Sequence, residues 1–228
     1  MVKKIVGTGV LLVLALALQA GVKMYTAGQG IAYSLFYDGR LLLKPSRIAL
    51  HTDLPEADHW ENIRITGTKQ RHVSETVQAP FYRVKEFGID CNELELRLNN
   101  GFSLLMRAYN DGMAYRFVAG RKGEMTVVEE RAEFNFADDF EAYIPYSTNP
   151  KDPWNMAFQN FYTKAPLTQY NTELPAFLPL TVDAGAVKLT LLESDLEAYP
   201  GMFVCGDGKT PALKGVFAAY PQETFKNK

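Results

Sequence analysis

Cysteine and histidine are scarce in this sequence, at 2 and 3 residues among 228. Their scarcity argues against a zinc centre. His51, His59 and His72 lack the close ligand pairs that such sites use, and only Cys91 and Cys205 could supplement them. In an oxidising compartment the two cysteines permit one disulfide, but two buried thiols fit the sequence equally well. Positive charge is not in excess either. Lys and Arg number 24 against 26 Asp and Glu, for a net charge of -2, so the footprint needed to hold a phosphate backbone is missing. There is no Gly-rich phosphate loop, no Gly-x-Ser-x-Gly elbow and no HExxH helix. Beyond the N-terminus, no long segment repeats its apolar residues at spacings of three and four, which excludes a helical architecture.

The N-terminus differs from the rest. Lys3 and Lys4 precede an uncharged run, Ile5 to Ala20, dominated by Leu, Val and Ala. The run is short for a membrane span. Ala15-Leu16-Ala17 has the small-x-small pattern of a cleavage site, and Ala20 offers a second one. Residues 1–20 therefore read as a signal peptide and 21–228 as one exported domain, in the periplasm or the medium and off the membrane once cleaved. An uncleaved anchor is the alternative.

Past this leader the pattern is strand after strand. Ile31 to Tyr37 and Arg40 to Leu43 flank Asp38-Gly39, a dipeptide suited to the positive backbone angles of a tight hairpin. Ile63 to Thr66 alternates. Glu93 to Leu98 puts its leucines on one face and its charges on the other. Asn99-Asn100-Gly101 and Asn110-Asp111-Gly112 then turn the chain into Phe102 to Tyr109 and Met113 to Val118, a three-stranded meander. Further strands are predicted at Met125 to Glu130, Phe134 to Phe136, Phe140 to Ile144, Ala176 to Val182, Val187 to Leu192, Phe203 to Cys205 and Leu213 to Tyr220. Short strands spaced by turn residues predict an all-β sandwich of antiparallel sheets.

Pro145 to Pro175 breaks this rhythm. Trp154, Phe158, Phe161, Tyr162 and Tyr170 occur there among Asp152, Asn155, Gln159, Asn160 and Asn171. Sugars present apolar C–H faces and hydroxyl edges, so aromatic platforms beside amides and carboxylates suit them. A long crossover packed by its own aromatics is the plainer reading. Farther on, Glu193-Ser194-Asp195-Leu196-Glu197 places three carboxylates just past a strand end. Paired carboxylates can act as acid and base on a glycoside, but these lie too close in sequence to show the required separation, and a polar turn closed by Pro200-Gly201 is the simpler account. The residues that best fit sugar contact are Trp154, Asn160, Tyr162, Glu193 and Asp195; none is assigned a catalytic role.

Tyr109-Asn110-Asp111-Gly112-Met113-Ala114-Tyr115-Arg116-Phe117 resembles a segment of the N-terminal domain of glycoside hydrolase family 97, bacterial enzymes acting on α-glucosides and α-galactosides. Three further segments agree: the hairpin Tyr33 to Leu50 with Lys44-Pro45-Ser46, Tyr143-Ile144-Pro145 before the aromatic loop, and Glu193 to Met202, which matches Glu-x-Asp-Leu-x-x-Tyr-Pro-Gly-Met. The resemblance covers essentially everything after the signal peptide. It implies a β-super-sandwich, galactose mutarotase-like, that packs on a catalytic (β/α)₈ barrel and helps shape its pocket for oligosaccharide. That barrel, with its acid and its base or nucleophile, is not in these residues. The resemblance further implies a calcium ion in the full-length enzyme, with one carboxylate ligand from the aromatic loop. The matching position here carries Gln159 where Glu is expected; its amide oxygen can ligate calcium but brings no charge. The family pattern also continues past Tyr220-Pro221 into another strand, so a missing C-terminal strand is expected.

Two other functions compete with a carbohydrate-binding, substrate-shaping domain. A mutarotase-like epimerase needs His and Glu converging in a groove, whereas all three histidines precede residue 73 in sequence with weak strand pattern. A purely structural sandwich needs no site at all.

Overall fold

The computed structural model describes residues 11–14, 20–26, 30–55, 58, 60–79, 83–155, 158–194, 196 and 199–219. The chain divides into two compact units, Met1–Arg131 and Ala132–Lys228.

In the first unit, β1 (Leu11–Leu14), β2 (Ala20–Thr26), β3 (Ile31–Tyr37) and β4 (Arg40–Thr52) pair antiparallel in chain order. Asp38 and Gly39, with φ of 48° and 73°, make the tight turn between β3 and β4, as their sequence predicts. A second sheet is a meander of β5 (Ile65–Gln78), β6 (Glu86–Leu98), β7 (Phe102–Ala108) and β8 (Met113–Ala119). Leu94 and Leu96 pair with Met106 and Leu104, and all four are fully buried. Each such side chain contributes about 1.5–3 kcal/mol by leaving water. The two sheets meet through rings. Tyr33 of β3 packs on Tyr115 of β8 at 5.9 Å, and Trp60 lies edge-on to Phe117 at 5.4 Å. The Trp60 indole N–H donates to the Leu50 carbonyl at 2.7 Å, which satisfies its one polar atom inside the core.

β9 (Val127–Asn135) crosses from the first unit into the second. There its end pairs with β15 (Ala212–Phe217), which pairs with β14 (Met202–Gly206). The other sheet has the order β11-β10-β12-β13, from β10 (Glu141–Ile144), β11 (Thr163–Pro166), β12 (Leu180–Asp183) and β13 (Lys188–Leu191). Ala176 ties the two sheets of this unit together, bridging Tyr146 on one side and Val204 on the other.

Several sequence expectations need correction. The strand expected at Ile63 to Thr66 begins at Ile65 and runs on to Gln78. His72 therefore stands within a strand, as does His51 in β4, rather than in weakly structured sequence. The runs expected at Met125 to Glu130 and Phe134 to Phe136 overlap a single strand, β9, Val127–Asn135. The stretch Pro145 to Pro175 holds β11 and a 3-10 turn, Leu167–Gln169. Ala20–Thr26, not read as a strand from sequence, is β2. Of the apolar N-terminal run, Leu11–Leu14 lies as β1 against β2, and the rest before Ala20 falls outside the described residues. Tyr220 and the residues after it also fall outside them. Cys91, buried in β6, and Cys205, half-buried in β14, are both free thiols. No helix among the described residues is long and apolar enough to cross a membrane.

Candidate functional site

Ile144 pairs with Thr163, so the segment between them leaves and re-enters the β10–β11 ladder at one end. Its base is fixed by a buried tyrosine. Tyr170 donates its hydroxyl to the carbonyls of Val204 at 2.7 Å and Leu174 at 3.0 Å, and burial pushes that phenol far above its ordinary pKa. Tyr146 stands edge-on to Tyr170 at 5.0 Å, and its oxygen accepts the Asn171 N–H at 2.8 Å. The Ser147 N–H donates to Pro175 O at 2.8 Å and its hydroxyl to Pro153 O at 3.0 Å. Asn160 donates its side-chain N–H to the Tyr146 carbonyl.

Beside these bonds lies an open concavity of ≈ 490 Å³ lined by Tyr146, Ser147, Thr148, Asn160, Phe161, Thr163, Ala165, Gln169, Asn171 and Leu174. Seven of these ten residues carry a hydroxyl or an amide, although apolar surface makes up the larger share of the wall. Its one fully displayed ring is Phe161, which is 99% exposed. The ring is thus open to solvent beside the polar groups of the concavity.

The other aromatics of the segment make ring contacts with protein, though Phe158 and Tyr162 remain about half exposed. Trp154 stands edge-on to Phe203 at 4.8 Å and 89°. Phe158 packs on Phe177 at 5.2 Å and Phe203 at 6.0 Å. It does so with φ of 53°, a left-handed backbone that costs a bulky residue about 1–2 kcal/mol and that the ring contacts offset. Tyr162 contacts Phe177 at 6.5 Å and donates its hydroxyl to Pro179 O at 3.4 Å. Next to this cluster, both oxygens of Glu193 accept the Met202 N–H, at 2.8 and 2.9 Å. Burial raises the Glu193 carboxyl above its ordinary value, against the lowering by that N–H.

The residues singled out from sequence thus separate. Asn160 lines the concavity, Trp154 and Tyr162 are not among its lining residues, and Glu193 is linked to Trp154 through Met202 and Phe203. Gln159 is exposed, and Asp195 lies outside the described residues. Sequence reasoning left Phe161, Thr148 and Asn171 out of the chosen set. Phe161 stands two residues before β11, and it lines the concavity together with Thr163 and Ala165 of that strand. His51 contacts Asp58 at 2.7 Å, His72 lies beside Asn92 at 3.4 Å, and His59 is outside the described residues. Among the described residues no group of three or more His, Cys, Asp or Glu could hold a metal.

A family model described as Glycosyl-hydrolase 97 N-terminal matches residues 17–223. The chain belongs to this family. A retaining alpha-galactosidase of Bacteroides thetaiotaomicron is 38% identical over 208 residues, covering 88% of this chain and 31% of that protein. A glycoside hydrolase family 97 enzyme from Pseudoalteromonas sp. strain K8, solved in complex with acarbose, superposes with a TM-score of 0.73 at 16% identity, over 87% of this chain and 30% of that one. A beta-arabinopyranosidase structure gives 0.74 at 18% identity, over 88% and 34%. These likenesses show the fold: the all-β, antiparallel super-sandwich of family 97 N-terminal domains. The chain spans about a third of the length of each relative.

Proposed function

We propose that this chain is the carbohydrate-binding, substrate-shaping N-terminal domain of a family 97 glycosidase acting on α-glucosides or α-galactosides. The observation that carries the reading is Phe161, displayed in full at a wall of amides and hydroxyls that includes Asn160 and Asn171. A pyranose can lay its C–H face on such a ring while the amides take its hydroxyls. The acid and base of glycoside cleavage belong to a (β/α)₈ barrel outside this chain. Glu193, the best-placed carboxylate here, is occupied by backbone.

Calcium belongs to the same full-length enzyme. The described residues do not make a calcium site by themselves, since the ion takes six to eight oxygens and Gln159 offers one neutral amide oxygen at an exposed position. Export to the periplasm or the medium completes the reading; N-terminal sequencing of the exported protein should find the apolar leader removed.

Titration calorimetry with malto- and galacto-oligosaccharides tests the binding role. Weak binding by the native chain should fall about tenfold in Phe161→Ala, or about 1.4 kcal/mol. The thermal midpoint should stay constant, because an exposed ring supports little of the fold. Undiminished binding in that variant, or none by the native chain, would overturn the proposal.

A further inference from the structure

The outward face of the β5–β8 sheet carries a second concavity, of ≈ 350 Å³, lined by Lys69, Arg71, Glu93, Glu95, Ser103, Leu105 and Val118. It arises from the register. One row across the four strands reads Gly67, Arg97, Ser103, Val118; the next reads Lys69, Glu95, Leu105, Arg116; the third reads Arg71, Glu93, Arg107, Ala114. Long charged side chains thus surround short ones, which leaves a depression in an otherwise flat face.

Five cations stand in the three rows against two anions, while the lining of the concavity itself holds Lys69 and Arg71 with Glu93 and Glu95. One of those anions is not available to a ligand. Glu93 is only 6% exposed, and its oxygens accept from Arg71 Nε at 2.7 Å and Arg107 Nε at 2.8 Å. It works as a bracket that holds two guanidinium groups side by side. Glu95 accepts from Arg97 Nε at 3.2 Å. Lys69 stands opposite Glu95 in the β5–β6 register but forms no ion pair with it among the described residues.

We infer that this concavity binds a sugar acid, a pyranose carrying a carboxylate. The carboxylate meets Lys69 and the bracketed Arg71, since guanidinium and ammonium donors favour a planar anion. The C–H face of the ring meets Leu105 and Val118, and the Ser103 hydroxyl is at hand for a ring hydroxyl. The volume falls within the range of small-molecule pockets, about 300–1,000 Å³, at its lower end. The site lies in the first unit, whereas the Phe161 concavity lies in the second, so the two stand or fall separately.

The test is titration of the whole chain with D-galacturonate, D-galactose and acetate, read by NMR or calorimetry. Galacturonate should bind, weaken with added salt, and bind at least tenfold more tightly than galactose or acetate at this site. Lys69→Gln should weaken galacturonate about tenfold, and Phe161→Ala should leave it unchanged. Val118→Asp, which brings a carboxylate into an exposed lining position, should abolish binding without unfolding the protein. Equal binding of galacturonate and galactose shows a neutral-sugar site, and equal binding of acetate shows a bare carboxylate site. Either result overturns the inference, as does indifference to Lys69→Gln or to Val118→Asp, or no binding of galacturonate at millimolar concentration.

Discussion

Glu193 grips the backbone N–H of Met202 with both carboxylate oxygens, at 2.8 and 2.9 Å. The grip fixes the start of β14, and the next residue, Phe203, carries the edge-on contact with Trp154. Gly201 is part of the fit: a methyl group there would stand 3.3 Å from Glu193 Oε1. A carboxylate whose sequence setting suggests sugar contact is thus used to hold a strand end and, through it, an aromatic cluster.

Glu193→Ala should consequently disturb Trp154 at a distance. The N–H of Met202 loses its acceptor, at a cost of about 1 kcal/mol, and Phe203 loosens beneath the indole. The tryptophan emission should shift to the red. Trp60 provides a constant background, being buried and bonded to Leu50 O. An unshifted spectrum would mean that β14 positions Phe203 unaided.

Gly206 and Tyr170 form a second coupled pair. A Cβ at Gly206 would lie 2.7 Å from Tyr170 Cγ and 2.8 Å from its Cβ, distances no repacking of an end group can relieve. Gly206→Ala should therefore destabilise by about 1–3 kcal/mol, the usual cost of overpacking. Tyr170→Phe keeps the ring but loses the bonds to Val204 and Leu174, costing about 1 kcal/mol. Tyr170→Ala removes the obstructing ring. In that background Gly206→Ala should cost clearly less than in the native chain, a coupling that urea denaturation of the native chain, the two single variants and the double variant measures. Simple additivity would contradict this packing.

The meander of β6, β7 and β8 is readable from sequence because one face is almost wholly apolar and the turns carry Asn, Asp and Gly. β5 is not. Between Ile65 and Gln78 its only other large aliphatics are Val73 and Val77, and its outward positions Lys69 and Arg71 are matched to charges on β6 that no local pattern reveals. The strand exists because β6 supplies the partner ladder. The candidate site divides along the same line. Composition marks out the aromatic segment, yet whether a ring faces solvent or protein depends on contacts remote in sequence. Trp154 meets Phe203 and Tyr162 meets Phe177, while Phe161, between neighbours of similar character, meets nothing comparable. Asn160 is legible as polar but not as the donor to Tyr146.

Glu93 ties the stability of the first unit to pH. Hydrogen bonding from Arg71, then from Arg107, holds its carboxyl below the ordinary value of 4.5, and partial burial opposes this without reversing it. A carboxyl whose pKa is depressed in the folded state contributes stability that is present above its unfolded value. That contribution is lost as pH falls through the lower folded value. The native chain should thus lose stability below about pH 4.5. Asp53, Asp183 and Asp207 are depressed as well, so the total slope belongs to several groups. Glu93→Gln isolates one of them. At pH 7 the variant should be less stable by about 2 kcal/mol, since two guanidinium groups lose the anion between them. As pH falls below 4.5 the native chain gives up this contribution progressively, and the two proteins should draw together. Urea unfolding at both pH values reads the gap directly. A gap of the same size at pH 3 would mean that Glu93 acts by shape and hydrogen bonding alone, with its charge contributing nothing to the fold.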